Sequence, residues 1–393
     1  MLSRSNFRLG AAALAAVAAF ALVGCSTPDG GTSETTAAGA APGEDCQPRE
    51  GVDYEAVEEI LAPYLQNEAQ IPVEGTLAEL PAPGTRIAFL DNGTPVAALM
   101  WDYIQTVNNV LPDVVFERVD VGTDAQSINT GLNTVLESSP DIVIAVALDP
   151  TFYVSQLEAM QERDITFVPV SITNAEDFGL EDVMGGYGSQ VDNGKVLAAA
   201  GLWLTCGQGE EIAFYNVPEL PFSGIQLESA TEELEKLCPD CTLRPVDISV
   251  TQMSSTGPDI VVSDLQAHPN TDAFITPIDE LQIGLAGKLE IAGLPNIPGI
   301  GQSSTPPNVA QIADGTQRAG LATDLRLIMW LTVDEALRRH AGMEVSYEGM
   351  DWANFNAQVS RILTQENAGE YLEGFVAVPD FEEQFAEMWG VNG

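Results

Sequence analysis

The chain has 393 residues and a formal net charge of −43 at pH 7, from 58 acidic and only 15 basic side chains. So strong a negative field, with no basic stripe, excludes nucleic-acid binding as a candidate function and repels anionic lipid. We interpret the acidity as a solvated surface, with a specific cationic partner as the alternative. The chain that follows the N-terminal leader is too long for one core of usual size and predicts two domains.

The first 25 residues have the pattern of an export signal. Arg4 and Arg8 give a positive start, and the apolar run AAALAAVAAFALV (11–23) is shorter than the roughly 20 residues that span a bilayer. The run ends in LVGC, which resembles the lipobox of bacterial lipoproteins and implies lipidation of Cys25; the alternative is an ordinary secretory signal with a chance cysteine. Residues 26–52 predict a flexible tether, since most of this segment lacks large apolar side chains. We therefore expect an extracytoplasmic protein, lipid-anchored to the bacterial cell membrane.

Four cysteines follow the tether's start, at Cys46, Cys206, Cys238 and Cys241. An even number outside the cytoplasm favours disulfides. Cys206, Cys238 and Cys241 are the disulfide candidates, while the pairing and the role of Cys46 stay open. The CPDC motif at 238–241 does not predict a zinc site, because a second CxxC is missing and neither histidine lies nearby.

After a helix at 53–66 and a proline-rich lead-in that ends at residue 85, apolar strands alternate with amphipathic helices. The predicted strands of the first series are 86–90, 114–121, 141–148 and 165–171. The predicted helices between them are 95–110, 124–139 and 152–164, with Asp124 as the N-cap of the second. The continuous apolar run at 141–148 is typical of a strand that is covered on both faces.

A second series repeats the pattern. Its predicted strands are a short crossing strand at 183–188 and then 211–217, 242–250, 272–278 and 296–301. Its predicted helices are 190–206, 223–238, 258–269 and 279–293. Helices at 306–315 and 324–342 flank a last strand at 317–323. Such alternation predicts two doubly wound parallel sheets built from right-handed βαβ units.

Three stretches resemble the type I periplasmic binding proteins of the ribose- and galactose-binding kind. They are RIAFLDNGTPVAALMWDYIQ (86–105), YGSQVDNGKVLAAAGLWL (187–204) and LQAHPNTDAFITPIDELQIGLAGKLEIAG (265–293). The resemblance covers residues 86–342. It implies two Rossmann-like lobes joined by a three-segment hinge, with the ligand in the cleft between them. The expected function is that of a substrate-binding protein that captures a sugar or sugar-like solute for an ABC importer.

With that fold, the chain divides into an extension at 53–85, two lobes and a C-terminal appendage at 343–393. Lobe 1 is expected to contain residues 86–187 and 303–342, and lobe 2 residues 188–302.

Polar side chains at the predicted strand ends are the candidate ligand contacts, because ligands of open α/β sheets bind at the carboxyl ends of the strands. The candidates are Asp91, Asn92, Thr94, Asp149, Ser171, Asn216, Phe222, Gln226, Gln252, Asp279 and Gln302. By resemblance, Asp279 occupies the position of the family's acceptor of sugar hydroxyls, with a helix N-cap as the alternative role. Asp149 has the same two possible roles.

The sequence also departs from the family's ribose binders. Val96 and Ala97 follow Pro95, where those proteins carry aromatic side chains. Ser171 replaces an acidic residue, and Gln226 stands where an arginine is expected. These changes remove charged sugar contacts and predict a larger or less polar ligand, with Phe222 as one possible stacking face.

No catalytic motif supports an enzyme: the sequence lacks HExxH, GxSxG and a phosphate-binding loop. A glycosidase-like pair of Asp91 and Asp279 is the weakest alternative. A ligand-sensing subunit that recognises a nucleoside or signal molecule and feeds a membrane sensor is a stronger one. We expect a monomer without cofactor or metal, whose partners are a carbohydrate-like solute and the permease and ATPase of the importer.

Overall fold

A computed structural model describes residues 46–65, 69–180 and 183–391. These described residues belong to one compact unit. The expected signal, lipobox and Cys25 lie outside the described residues, as does the tether before Cys46. Within the described ranges, no helix combines the length and the apolarity needed to cross a bilayer.

The strands form the centres of two lobes. In chain order they are β1 (Arg86–Asp91), β2 (Val115–Asp120), β3 (Ile142–Val146), β4 (Thr166–Val170), β5 (Glu211–Asn216), β6 (Thr242–Asp247), β7 (Ala273–Thr276), β8 (Gly299–Gly301), β9 (Gly320–Thr323) and β10 (Ser360–Leu363). Lobe 1 contains a parallel sheet of order β2-β1-β3-β4, and lobe 2 a parallel sheet of order β6-β5-β7-β8. The predicted doubly wound α/β architecture is confirmed.

Burial explains why these segments are strands. All five residues of β3 are buried, since helices cover both faces of the central strands. The edge strand β2 is partly exposed along its length, which matches its alternating sequence. In the register of lobe 1, Ile87 of β1 lies opposite Phe116 of β2 and Ile142 of β3.

The helices cover these sheets and fill the connections. They are α1 (Tyr54–Leu65), α2 (Pro95–Ile104), α3 (Ala125–Ser138), α4 (Val154–Glu162), α5 (Tyr187–Leu204), α6 (Pro221–Leu237), α7 (Val250–Met253), α8 (Gly257–Ala267), α9 (Leu285–Ala292), α10 (Pro306–Asp314), α11 (Leu325–His340), α12 (Trp352–Val359) and α13 (Phe381–Trp389). Asp124 caps α3 as predicted, and its carboxylate accepts hydrogen bonds from the backbone N–H groups of Gln126 and Ser127.

Two predicted elements differ in the structure. Residues 183–188 do not form a strand, because Gly185 has a left-handed backbone (φ +66°) and Tyr187 already begins α5. The helix predicted over 279–293 is interrupted. A 3₁₀ turn at Asp279–Gln282 ends before Gly284, whose φ of +75° breaks the helical path, and α9 follows.

Helices α5 and α6 pack closely at Gly194, a residue with no room for a side chain. A Cβ there would lie 2.6 Å from the carbonyl oxygen of Gln226 and 2.8 Å from Cβ of Ser229. We expect Gly194→Ala to lower the free energy of unfolding by about 1–3 kcal/mol, although alanine is the better helix former. Urea unfolding measures the change.

Gly224 of α6 is the matched control. A Cβ at this position meets nothing within 4 Å. Gly224→Ala is therefore expected to stabilise the protein slightly, and a stabilising Gly194→Ala would contradict close packing of α5 on α6.

An N-terminal strap, residues 46–65 and 69–77, runs from lobe 2 to lobe 1. At its start a disulfide joins Cys46 to Cys206, which follows α5, and a second disulfide joins Cys238 to Cys241. Helix α1 packs on α5, where the Tyr64 hydroxyl donates to Asp192 at 2.5 Å. The later part of the strap reaches lobe 1, and the carbonyl of Gly75 accepts a hydrogen bond from Arg338 of α11 at 2.8 Å.

The C-terminal residues 343–391 pack against both lobes. Strand β10 pairs antiparallel with β9, and α12 lies against α5. Helix α13 packs on α11 through Trp330, which stacks on Trp389. Helix α10 and β9, expected in lobe 1, adjoin the lobe 2 sheet instead, because β9 lies beside β8 and Gln302 forms a bridge with Leu321.

Candidate functional site

The main candidate site is a cavity of about 70 Å³ between the lobes, which we call the cleft cavity. Its walls come from the carboxyl ends of strands in both sheets, where ligands of open α/β sheets bind. The lining residues are Asn92, Thr94, Val96, Ala97, Met100, Val146, Ala147, Ser171, Gln190, Leu220, Phe222, Pro277, Ile278, Gln302 and Ser303.

Lobe 1 contributes one wall through the β1–α2 turn. Thr94 is the N-cap of α2, and its hydroxyl accepts a hydrogen bond from the backbone N–H of Ala97. The same hydroxyl donates to Oδ1 of Asn92 at 2.8 Å. These bonds fix the first turn of α2 so that Val96, Ala97 and Met100 line the cavity.

Strained backbone marks three of the lining residues. Ala147, Ser171 and Ser303 have φ values of +51°, +57° and +60°. Each follows a strand end, at β3, at β4 and just after β8. Left-handed backbone costs a non-glycine residue of order 1–3 kcal/mol and clusters at functional sites. The strain turns the chain sharply at the rim of the cleft.

A row of three amides crosses the floor of the cleft. Nε2 of the buried Gln226 donates to Oε1 of Gln190 at 2.7 Å and also to Oε1 of Gln302. Nε2 of Gln190 donates in turn to the carbonyl of Gly185 at 2.9 Å. Gln226 therefore holds the oxygen of Gln302 and leaves the Gln302 N–H groups available to a ligand.

A second cavity of about 60 Å³ lies next to the first, toward helices α5 and α12. We call it the hinge cavity. The two cavities share Met100, Ser171, Gln190, Gln302 and Ser303. Ser171 and Ser303 thus stand where the cleft and hinge cavities meet.

Neither cavity has a charged wall. Among the described residues that line them there is no Asp, Glu, Lys, Arg or His. This neutrality contrasts with the net charge of −43 of the whole chain. Nor does any cluster of three or more His, Cys, Asp or Glu side chains in the described ranges form a metal site.

Five of the predicted contacts lie in the cleft cavity, namely Asn92, Thr94, Ser171, Phe222 and Gln302. Gln226 lies directly behind this lining, where it donates hydrogen bonds to Gln190 and Gln302. The structure does not bring the remaining five, Asp91, Asp149, Asn216, Gln252 and Asp279, to the cavity wall.

The structure turns Asp279 away from the cleft. Its side chain is fully buried, and each carboxylate oxygen accepts a 2.8 Å hydrogen bond from Nε2 of Gln317. Gln282 and Ser304 donate to the same carboxylate. Burial raises the pKa of Asp279 to about 7 although these hydrogen bonds favour the ionised form. Asp279 thus holds the β7–β8 edge together and has no oxygen facing a ligand.

The other outlying candidates also have structural partners. Asp91 is buried and forms an ion pair with Arg118, so it does not share a site with Asp279. Asp149 accepts a hydrogen bond from the backbone of Thr151 as an N-cap, the role given above as its alternative.

Asn216 and Gln252 also form hydrogen bonds with other residues of the protein. Asn216 donates to Asp247 and accepts a hydrogen bond from Ser223. Gln252 is exposed on α7, in a capping box with Ser249.

Sequence reasoning missed most of the apolar part of the wall and one of its polar residues. The missed residues are Met100, Val146, Ala147, Gln190, Leu220, Pro277 and Ile278. The apolar members have the spacing of ordinary core residues, so no local signal separates them from the core. Gln190 carries a weak signal, because it lies within the YGSQVDNG stretch at the predicted lobe crossing.

Comparison with known proteins agrees with this geometry. A family model described as a periplasmic binding protein domain matches residues 87–344. A search of curated proteins by sequence finds no match.

Solved structures share the fold at low sequence identity. A 5-methylthioribose transporter solute-binding protein from Thermotoga lettingae superposes with a TM-score of 0.63 and 12% identity, over 79% of this chain and 99% of that one. A solute-binding protein from Burkholderia graminis in complex with D-arabinose gives 0.63 and 14%, over 74% and 99%. The Caulobacter myo-inositol binding protein gives 0.61 and 15%, over 75% and 97%.

The family model covers well over half of the chain, and the two parallel sheets and the cleft between them fit it. The chain therefore belongs to the periplasmic binding protein family, and it is an extracytoplasmic substrate-binding protein rather than an enzyme.

Proposed function

We propose that this protein is the lipid-anchored substrate-binding subunit of an ABC importer, which captures a small, uncharged, sugar-like solute and delivers it to a permease. The observation that carries the proposal is the cleft cavity, because both lobes line it with neutral hydrogen-bonding groups. Its volume of about 70 Å³ is too small for an oligosaccharide, which supports a small solute.

The mechanism is closure of the lobes around the solute. A ligand that contacts Ser171 of lobe 1 and Gln302 of lobe 2 at once binds the closed form more tightly than the open form. It therefore shifts the population toward the closed form, which docks on the permease. The monomer is sufficient for this step, since one chain supplies both walls.

Two further features support the proposal. The structures with the same fold include proteins in complex with D-arabinose and with myo-inositol, both neutral polyols. The LVGC sequence at 22–25 supplies a lipid attachment site, and acyl chains stabilise membrane anchoring by about 0.8 kcal/mol per buried CH₂.

The test is calorimetry on the full chain with a panel of neutral monosaccharides and polyols. At least one member is expected to bind and to raise the melting temperature by mass action. Turnover of a glycoside without binding of any intact sugar would overturn the proposal.

Gln302→Leu is expected to weaken binding of the sugar found in that panel by at least about tenfold, since it removes the free amide N–H groups of the cleft. Gln226 retains its bond to Gln190 but loses its acceptor on Gln302, so the free energy of unfolding should also fall by about 1–3 kcal/mol. Gln252→Leu is the matched control, because Gln252 is exposed outside the cleft. Equal affinities of the native protein and the Gln302 variant would show that Gln302 does not contact the ligand.

A further inference from the structure

We propose that the solute recognised in the cleft carries an apolar substituent in addition to a few hydroxyl groups. This inference rests on the proposed function and narrows its substrate class. It predicts a preference for a neutral deoxy- or alkyl-substituted sugar over its fully hydroxylated parent.

The first argument is the small number of free polar groups in the cleft cavity. Thr94 and Gln190 already use their side chains in the intramolecular hydrogen bonds described above. In the part of the chain that the structure describes, the side-chain groups of the lining left over are the amide N–H groups of Gln302 and the hydroxyls of Ser171 and Ser303. Asn92 adds its amide, which makes only a weak contact of 3.5 Å with the carbonyl of Val146, while its oxygen accepts from Thr94.

Three of these groups lie at one end of the cleft, since Ser171, Gln302 and Ser303 all border the hinge cavity as well as the cleft cavity. A ligand therefore places most of its hydroxyls toward the hinge cavity.

The second argument is the apolar surface that covers the rest of the cleft. Lobe 1 contributes Val96, Ala97, Met100 and Val146, and lobe 2 contributes Leu220, Phe222, Pro277 and Ile278. A hydroxyl of the solute that lay between these walls would lose its hydrogen bonds to water without gaining a partner in the protein, which weakens binding. A methyl group at the same place gains free energy from burial.

The third argument is the absence of charge in the described lining. A phosphate, carboxylate or ammonium group of a solute would be buried there without an opposite charge. The cleft therefore selects against sugar phosphates, uronic acids, amino sugars and free amino acids.

The test compares matched sugars that differ only by CH₃ in place of CH₂OH. The pairs are L-fucose with L-galactose, L-rhamnose with L-mannose, and 5-deoxy-D-ribose with D-ribose. Calorimetry on the full chain is expected to show about tenfold tighter binding of the deoxy member in at least one pair. D-ribose 5-phosphate and D-glucosamine should give no binding heat.

Two variants locate the preference on the apolar walls. Val96→Thr adds a hydroxyl to the lobe 1 wall at nearly constant volume and should reduce the deoxy preference several-fold. Phe222→Gln places an amide in the lobe 2 wall and should also reduce the deoxy preference. Phe222 is half-buried, so this variant serves as the second test if the Val96 variant folds poorly. Val115→Thr, on the exposed side of β2, is the matched control and should leave the preference unchanged.

The outcomes separate the two proposals. Equal or tighter binding of the hydroxymethyl member in every pair that binds overturns this inference and leaves the proposed function intact. Tight binding of the phosphate or of the amino sugar also overturns it. If no neutral sugar binds, the proposed function fails, and this inference fails with it.

Discussion

Replacement of Trp330 by alanine is expected to lower the free energy of unfolding by about 3–5 kcal/mol. The side chain is fully buried in α11 and stacks on Trp389 of α13 at a centroid distance of 5.4 Å. Phe381 and Phe385 contact the same ring, and the indole N–H donates to the hydroxyl of Thr106 at 2.8 Å. The variant would leave a large cavity between α11 and α13, while the Thr106 hydroxyl keeps its bond to the carbonyl of Tyr103.

Urea unfolding followed by circular dichroism measures this loss. Trp101→Ala is the matched control, because Trp101 is only half-buried, so its removal should cost clearly less. An unfolding midpoint of the Trp330 variant equal to that of the native protein would mean that α13 is not docked on α11.

The second large effect is a dependence of stability on pH that comes from Asp279. Burial raises its pKa from 3.8 to about 7 in the folded protein. Between these two values the folded state holds a proton that the unfolded state has released. The protonated carboxyl therefore contributes stability that is complete below about pH 4 and is lost as pH rises through about 7, on the order of 4 kcal/mol in all.

Asp279→Asn isolates this contribution, since asparagine resembles the protonated acid and does not ionise. From pH 5 to pH 8 the native protein should lose about 2–3 kcal/mol more unfolding free energy than the variant. Urea unfolding at the two pH values measures both losses. Other buried acids with raised pKa, such as Asp324 and Glu335, affect both proteins alike and cancel in the difference. Equal losses would show that Asp279 is ionised across this range.

The strand and helix pattern could be predicted because each lobe repeats a simple rule. Central strands covered on both faces require continuous apolar runs, and β3 and β7 have them. The errors fall at glycines. Gly185 and Gly284 adopt left-handed backbone, which a hydropathy pattern does not show, and so a turn was predicted as a strand and a broken helix as a continuous one.

The site was only partly predictable, for a different reason. A polar residue at a strand end lies at the correct edge of the sheet, but the sequence does not say which way its side chain turns. Asn92 and Gln302 turn into the cleft, whereas Asp91 and Asp279 turn toward Arg118 and Gln317. Position in the family pattern thus predicted the neighbourhood of Asp279 but not its partners in this chain.

The apolar wall could not be predicted from the sequence, because its residues have the same pattern as residues of the hydrophobic core. Met100 and Val146 are buried residues of a helix and a strand, as in any α/β domain. Only the packing of the two lobes shows that they face a cavity rather than another layer of the same lobe.

The disulfide between Cys46 and Cys206 determines where the leader joins the folded body. Because the strap begins at the end of α5, that junction lies on lobe 2, although the first sheet belongs to lobe 1. If Cys25 carries the lipid, the segment from Cys25 to Cys46 reaches about 70 Å when fully extended. Lobe 2 would then be the tethered lobe. When the cleft opens, lobe 1 would move relative to lobe 2, and lobe 2 would stay within about 70 Å of the bilayer.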